Sequence, residues 1–185
     1  RFLRAFAYFN LMDLFGSVPL VTVVSTDLPE HRTRTEIFNF VEGELLEIQN
    51  TLKESGANEY GRVDRVAAWA LLSKLYLNAQ VWTGTERYTD AITYAEMAIN
   101  SSYSINTTDA NGNGSAYDEL FLADNNSNGA QNEFIFALNF DGNNSRTYGG
   151  TTFLVHAAIG GSMDAFNFGV NGGWSGLRTT KALVN

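Results

Sequence analysis

From the first residue to about residue 100 the apolar side chains recur every three or four positions, and beyond that point the recurrence ends. A chain with that pattern folds as packed helices followed by a part built from loops. Phe2, Ala5, Phe6, Phe9, Met12 and Leu14 fall on one face of a helix already under way at residue 1. Gly16 and Pro19 end it, since glycine supplies a C-cap and proline cannot continue the turn. Val18–Val24 is short, apolar and β-branched, and reads as an extended connector. Thr33-x-x-Glu36 is a capping-box pattern ahead of the stripe Ile37, Val41, Leu45, Ile48 and Leu52. A third helix is predicted from about Val63 to Trp82 and a fourth from about Tyr88 to Asn100. Leu75, Ala79, Trp82, Ala91, Ala95 and Ala98 sit at the spacings of a tetratricopeptide-like helix pair, in which small residues let two antiparallel helices approach closely. Any tightly packed helical hairpin produces the same pattern, so both readings stand.

After residue 100 the texture changes. Twelve of the 17 glycines lie at or beyond Gly112, and Arg146 is the only Lys or Arg between Tyr88 and Leu177. Asn111–Gly114 and Asn125–Gly129 are turn signals. Phe134, Phe136, Leu138 and Phe140 alternate with other residues as a half-buried strand would, and Thr151–His156 is predicted as a second strand. Gly160–Gly176 is a glycine-rich loop, longer than a compact domain keeps without a use for it. The expected fold class is therefore mainly α: TPR-like helix pairs with an irregular Gly/Asn-rich region carrying one or two short strands. Residues 1–185 are expected to form a single domain, helical over 1–100 and loop-rich over 101–185. The chain opens on Arg1 and closes at Asn185, inside a Thr179–Val184 run that reads as a helix just beginning. It is expected to be an internal piece of a longer protein, with any export signal or lipid anchor upstream.

Charge and composition remove whole classes of function. Twelve basic against 20 acidic side chains give a net charge of −8, the wrong sign for a nucleic-acid footprint. Without cysteine there is no disulfide framework, thiolate metal site or thiol nucleophile. The longest apolar stretch, around Val66–Leu72, falls far short of the ~20 residues that span a bilayer. The two histidines, His31 and His156, stand apart with no HExxH spacing, and His156 reads as a structural residue at the end of an apolar strand. No GxSxG elbow or GxGxxG fingerprint occurs. Asp141 and Asp164 are the only loop carboxylates that could act as a glycosidase pair, and Asp141 is first a turn former. Asp124-Asn125-Asn126 offers oxygen ligands for calcium without an EF-hand's spacing, and reads as an Asx turn. The expectation is a protein that is not an enzyme and uses no cofactor.

What remains suits a neutral sugar. A sugar ring presents a band of C–H groups that packs on an aromatic face, while its hydroxyls seek planar polar partners. Tyr148, in Ser145-Arg146-Thr147-Tyr148-Gly149-Gly150, and Trp174, in Asn171-Gly172-Gly173-Trp174-Ser175-Gly176, are large rings flanked by glycine. Tyr148 and Trp174 are the candidate stacking platforms, with Arg146 and Asn171 as polar partners. Trp69 and Trp82 sit on helix faces and are assigned to the core.

Arg1-Phe2-Leu3-Arg4-Ala5-Phe6-Ala7-Tyr8-Phe9, Asp13-Leu14-Phe15-Gly16 and Pro19-Leu20 resemble the most recognisable stretch of the SusD/RagB family. Tyr60-Gly61-Arg62-Val63-Asp64-Arg65, Leu75-Tyr76-Leu77-Asn78-Ala79 and Asn132-Glu133-Phe134-Ile135-Phe136 continue the resemblance in the expected order. Asp27-Leu28-Pro29, Glu119–Asn125 and Tyr148-Gly149-Gly150-Thr151 bring it nearest to the family's starch-binding branch. The resemblance implies a lipid-anchored, surface-exposed outer-membrane protein that binds a polysaccharide or oligosaccharide, here an alpha-glucan. It implies delivery of that glycan to a SusC-like TonB-dependent transporter, with the membrane met only through an upstream anchor. It also places Tyr148 and Trp174 at aromatics of the sugar site. The alternative is a TPR-like protein–protein interaction module without glycan binding. An exposed aromatic pair in the 140–176 loops favours the first, and aromatics confined to helix grooves favour the second.

Overall fold

The computed structural model describes residues 1–140, 143–145 and 147–184. It divides into two compact units, Arg1–Ala137 and Leu138–Asn185.

In the first unit, helix α1 (Phe2–Phe15) buries Phe2, Ala5, Tyr8 and Met12 along one stripe. It stops at Gly16, whose φ of 76° is a left-handed value that favours glycine, and whose N–H donates to the Met12 carbonyl. The chain then makes a two-residue ladder, β1 (Val18–Pro19) antiparallel to β2 (His31–Arg32), with Val18 opposite Arg32. The Tyr8 hydroxyl steadies this turn, donating to the Val21 carbonyl at 3.0 Å and accepting from the Val21 N–H at 2.7 Å. Helix α2 (Arg34–Ile48) begins with the capping box, the Thr33 hydroxyl taking the Glu36 N–H while the Glu36 carboxylate takes the Thr33 N–H. Its apolar face, Ile37, Phe38, Val41, Leu45 and Ile48, is buried. Glu44 is buried on the same helix, and the guanidinium groups of Arg1 and Arg4 lie 2.7 and 2.6 Å from its carboxylate. That contact, Arg1 above all, holds the Glu44 carboxyl below its ordinary range against the opposing pull of burial.

Helix α3 (Arg65–Leu77) starts at Asp64, which is wholly buried. One Asp64 oxygen accepts from the N–H groups of Val66 and Ala67; the other accepts from the Gly56 N–H and the Tyr103 hydroxyl, both at 2.8 Å. A single carboxylate thus joins the loop before α3, the α3 N-terminus and the segment after the fifth helix. Burial first, and the Asp64 contact second, push the Tyr103 phenol upward. The third helix predicted over 63–82 is in fact two: it breaks at Asn78, and α4 (Ala79–Thr83) follows. Asn78 turns its side-chain amide back onto the Lys74 carbonyl, a local bond that competes with continuing the ladder. Helix α5 (Tyr88–Ile99) packs on α3 with Ala91 buried and the Ser73 hydroxyl donating to the Ala91 carbonyl. Ala79 is buried as expected, whereas Ala98 is only half-buried. One apolar cluster runs through α1 to α5, with Trp82 edge-on to Phe9 at 5.5 Å.

Residues 101–137 are loops and short 3-10 turns knitted by side chains. Asp109 gathers three backbone N–H groups, from Gly112, Asn113 and Gly114. The buried Glu119 carboxylate accepts from the Asn111 N–H and the Asn128 amide. The strand expected over Phe134–Phe140 is absent. With no partner ladder to join, the alternating aromatics serve packing instead, and the Phe136 ring stands edge-on to Phe2 and Phe6 at 5.4 and 5.7 Å.

In the second unit Thr151–His156 is not a strand either: it lies within helix α6 (Gly150–Ala158). The β-branched residues that suggested a strand are tolerated here because α6 leaves Thr151 and Val155 exposed while Ala157 is buried. A 3-10 turn at Ala165–Phe168 is capped by Asp164, and a last short helix, α7, spans Lys181–Val184. Between these, residues 171–177 return along the end of α6, with Asn171 beside His156. The Trp174 N–H donates to the His156 carbonyl, Ser175 to Ile159, and Gly176 and Leu177 to Ala157, all within 2.8–3.0 Å. The described residues are mainly α, with the β1–β2 ladder as their sheet.

Candidate functional site

The returning segment builds a cleft against α6. Gly173 allows the approach: a Cβ at that position would lie 2.5 Å from the Ile159 carbonyl oxygen, a distance no side chain tolerates. Trp174 is therefore fastened through its own backbone while the residue stays 42% accessible. Tyr148, two residues ahead of α6, is 85% exposed. The two rings stand 6.2 Å apart, centroid to centroid, with their planes inclined by 49°. They border a cleft of about 520 Å³, whose remaining wall is polar: Ser145 and Thr147 on the Tyr148 side, Thr152 and His156 from α6, and Asn171. Among the described residues no charged side chain lines it.

The structure thus brings Tyr148, Trp174 and Asn171 around one cavity; Arg146 lies outside the described residues. His156 is the neighbour that sequence reasoning misplaced. It is helical, not at a strand end, and sits one turn after Thr152, so both face the cleft. Its ring stacks on Trp174 with centroids 4.7 Å apart and planes 28° from parallel. Nδ1 lies 3.0 Å from the Thr152 carbonyl and Nε2 lies 3.3 Å from Asn171 Oδ1. Reading 150–158 as a helix would have revealed this, because residues four apart share a face.

The other tryptophans behave differently. Trp82 is buried, and Trp69 is half-buried with its Nε1–H on the Gln49 side chain and the Arg65 guanidinium over its ring. Of the candidate acid pair, Asp164 is committed to the Phe166 N–H and Asp141 lies outside the described residues. Asp124 caps a turn, its carbonyl receiving the N–H groups of Ser127 and Asn128. Among the described residues no three His, Asp or Glu side chains gather as a metal set, and no helix is long and apolar enough to cross a membrane.

A mainly helical chain whose second unit holds a loop-built cleft faced by two accessible rings belongs to the class of helix-rich proteins with a loop-borne cavity. Comparison with known proteins makes the class specific: the chain is SusD-like. Over all 185 residues it is 38% identical to Starch-binding protein SusD of Bacteroides thetaiotaomicron, and it spans 32% of that protein's length. The crystal structure of a SusD-like protein from Bacteroides fragilis NCTC 9343 superposes on 75% of this chain and 26% of its own, with TM-score 0.59 and 25% identity. A SusD-like carbohydrate binding protein of the same strain overlaps 58% of this chain and 21% of its own, at TM-score 0.49 and 23% identity. No family model matches the sequence.

Proposed function

We propose that this chain carries ligand-contacting residues of a non-catalytic glycan-binding protein, and that the ligand is a starch-like α-glucan or maltooligosaccharide. The observation that carries the reading is the exposed Tyr148–Trp174 pair bordering one cleft. Two aromatic faces in water otherwise lose free energy, and consecutive sugar rings cover both while Asn171 meets their hydroxyls. The 38% identity to a protein named for starch binding supports the choice of glycan. On the same resemblance, the full-length protein is lipid-anchored at the outer-membrane surface and passes its glycan to a SusC-like TonB-dependent transporter. Co-purification of that transporter with the full-length protein tests the partner.

The sugar site is tested by affinity electrophoresis through gels with and without amylopectin. In the full-length protein, Tyr148→Ala and Trp174→Ala should each weaken maltooligosaccharide binding by about 1–3 kcal/mol, the range of other aromatic stacking platforms, with little change in melting temperature. Variants that bind normally but melt early make the rings structural and end this reading. The competing reading, a TPR-like interaction module, draws on the apolar side chains left exposed on the helical unit, among them Leu14, Phe15 and Val81. A full-length protein that binds no maltooligosaccharide would favour it.

A further inference from the structure

His156 makes more contacts in the cleft than a bystander needs. One face of its ring covers the Trp174 indole, its own carbonyl receives the Trp174 N–H, and its Nε2 reaches the side chain of Asn171. Trp174 and Asn171 are the two groups on the returning segment that a ligand would meet. We propose that His156 is the positioning residue of this cleft: it fixes the plane of the Trp174 indole, and its protonation decides which end of the Asn171 amide is turned to a ligand. This rests on the reading of the Tyr148–Trp174 cleft as the sugar site.

The second half of the proposal follows from donor and acceptor counting. Nδ1 faces a backbone carbonyl, the Thr152 oxygen, which can only accept. A neutral imidazole has one N–H; placed on Nδ1, it leaves Nε2 as an acceptor, and Asn171 must then offer its NH₂ to the ring and its oxygen to the cleft. An imidazolium donates from both nitrogens. It takes the Asn171 oxygen, which lies 3.3 Å from Nε2, and leaves the NH₂ facing the cleft. The proton therefore exchanges an acceptor for a donor on the cleft wall without moving the backbone. The groups beside the ring are the Thr152 carbonyl on α6, Asn171 and Trp174 on the returning segment, and Ser145, Thr147 and Tyr148 on the approach to α6. Among these described residues Tyr148 is the one other titratable group, and none carries a carboxylate, ammonium or guanidinium.

The test reads Trp174 directly. Emission of the full-length protein minus that of its Trp174→Phe variant isolates the indole, which is followed between about pH 5 and 8, where histidine changes charge. A step in this difference emission is expected as His156 takes up its proton, and it should vanish in His156→Gln and His156→Phe. Maltoheptaose affinity is measured in parallel. His156→Ala should weaken it about tenfold, and His156→Phe, which keeps the stack, should restore most of that loss while leaving affinity independent of pH across the same range. Equal melting temperatures of the Phe and wild-type proteins separate positioning from folding. A flat emission profile, or unchanged affinity in His156→Ala, overturns the proposal even if maltoheptaose binds normally. An emission step in a protein that binds no maltoheptaose upholds the His156–Trp174 geometry and overturns the sugar-site reading instead.

Discussion

Asp64 is the residue whose loss the helical unit should feel most. Its side chain is wholly buried and receives four hydrogen bonds from three separate stretches of chain. Asp64→Ala removes the N-cap of α3, worth about 1 kcal/mol. It also strands the Gly56 N–H and the Tyr103 hydroxyl, each costing about 1–3 kcal/mol unless water reaches it. A total of about 3–7 kcal/mol follows, a fall in melting temperature of roughly 6 °C at the least for a chain of this size. Asp64→Asn keeps an oxygen for Val66 and Ala67 but turns an amide donor towards the Gly56 N–H, so it should lose about 1–3 kcal/mol. Tyr103→Phe deletes one bond to a charged acceptor and should cost about 1.5–3 kcal/mol. Urea unfolding followed by circular dichroism gives each value, and the Asp64→Ala/Tyr103→Phe pair closes a double-mutant cycle. The two changes must be non-additive, because each removes the same contact. An additive cycle, or an Asp64→Ala cost below about 1 kcal/mol, would refute the account of Asp64 as a shared anchor.

Glu44 predicts the acid limb of the stability curve. Its folded pKa is depressed, so its stabilisation is complete above the unfolded value of about 4.3 and is lost as pH falls through the lower folded value. Glu44→Gln should therefore flatten the pH dependence below about pH 4.5, read from melting temperatures across an acid series, and an unchanged slope contradicts the Arg1–Glu44–Arg4 assignment. Gly173→Ala should detach Trp174 from α6, since its methyl group meets the Ile159 carbonyl. A loss of about 1–3 kcal/mol of stability is expected with weaker glycan binding, and a variant unaltered in both denies the close approach.

The parts of this fold that sequence revealed are those whose causes are local. Thr33 and Glu36 satisfy each other across three residues, and Phe15-Gly16 ends a helix by a property of glycine itself, so α1 and α2 were readable. Asn78 interrupts a helix through an equally local bond, but asparagine is common enough in helices that its presence gave no warning. Phe134–Phe140 and Thr151–His156 failed for a different reason. Alternation and β-branching describe what a strand would accept, whereas a strand also requires a partner, which is a property of the whole fold. The first segment packs Phe136 onto Phe2 and Phe6, and the second closes into α6. The same error hid His156: Tyr148, Trp174 and Asn171 stood out by their glycine-rich surroundings, but a histidine assigned to a strand end could not be seen stacked beneath the indole.

The Asp109 loop bears on how long such a protein lasts outside a cell. Asn111-Gly112 and Asn113-Gly114 are the sequences most prone to deamidation, in which the nitrogen of the following residue attacks the asparagine side-chain carbonyl and closes a succinimide ring. Here the attacking nitrogens, those of Gly112 and Gly114, already point their hydrogens at the two Asp109 oxygens, and the Asn113 amide is bonded to Asp118. The reaction has to undo that arrangement before it can begin. A segment whose composition suggests rapid chemical ageing should therefore age slowly, and Asp109→Ala should speed its deamidation.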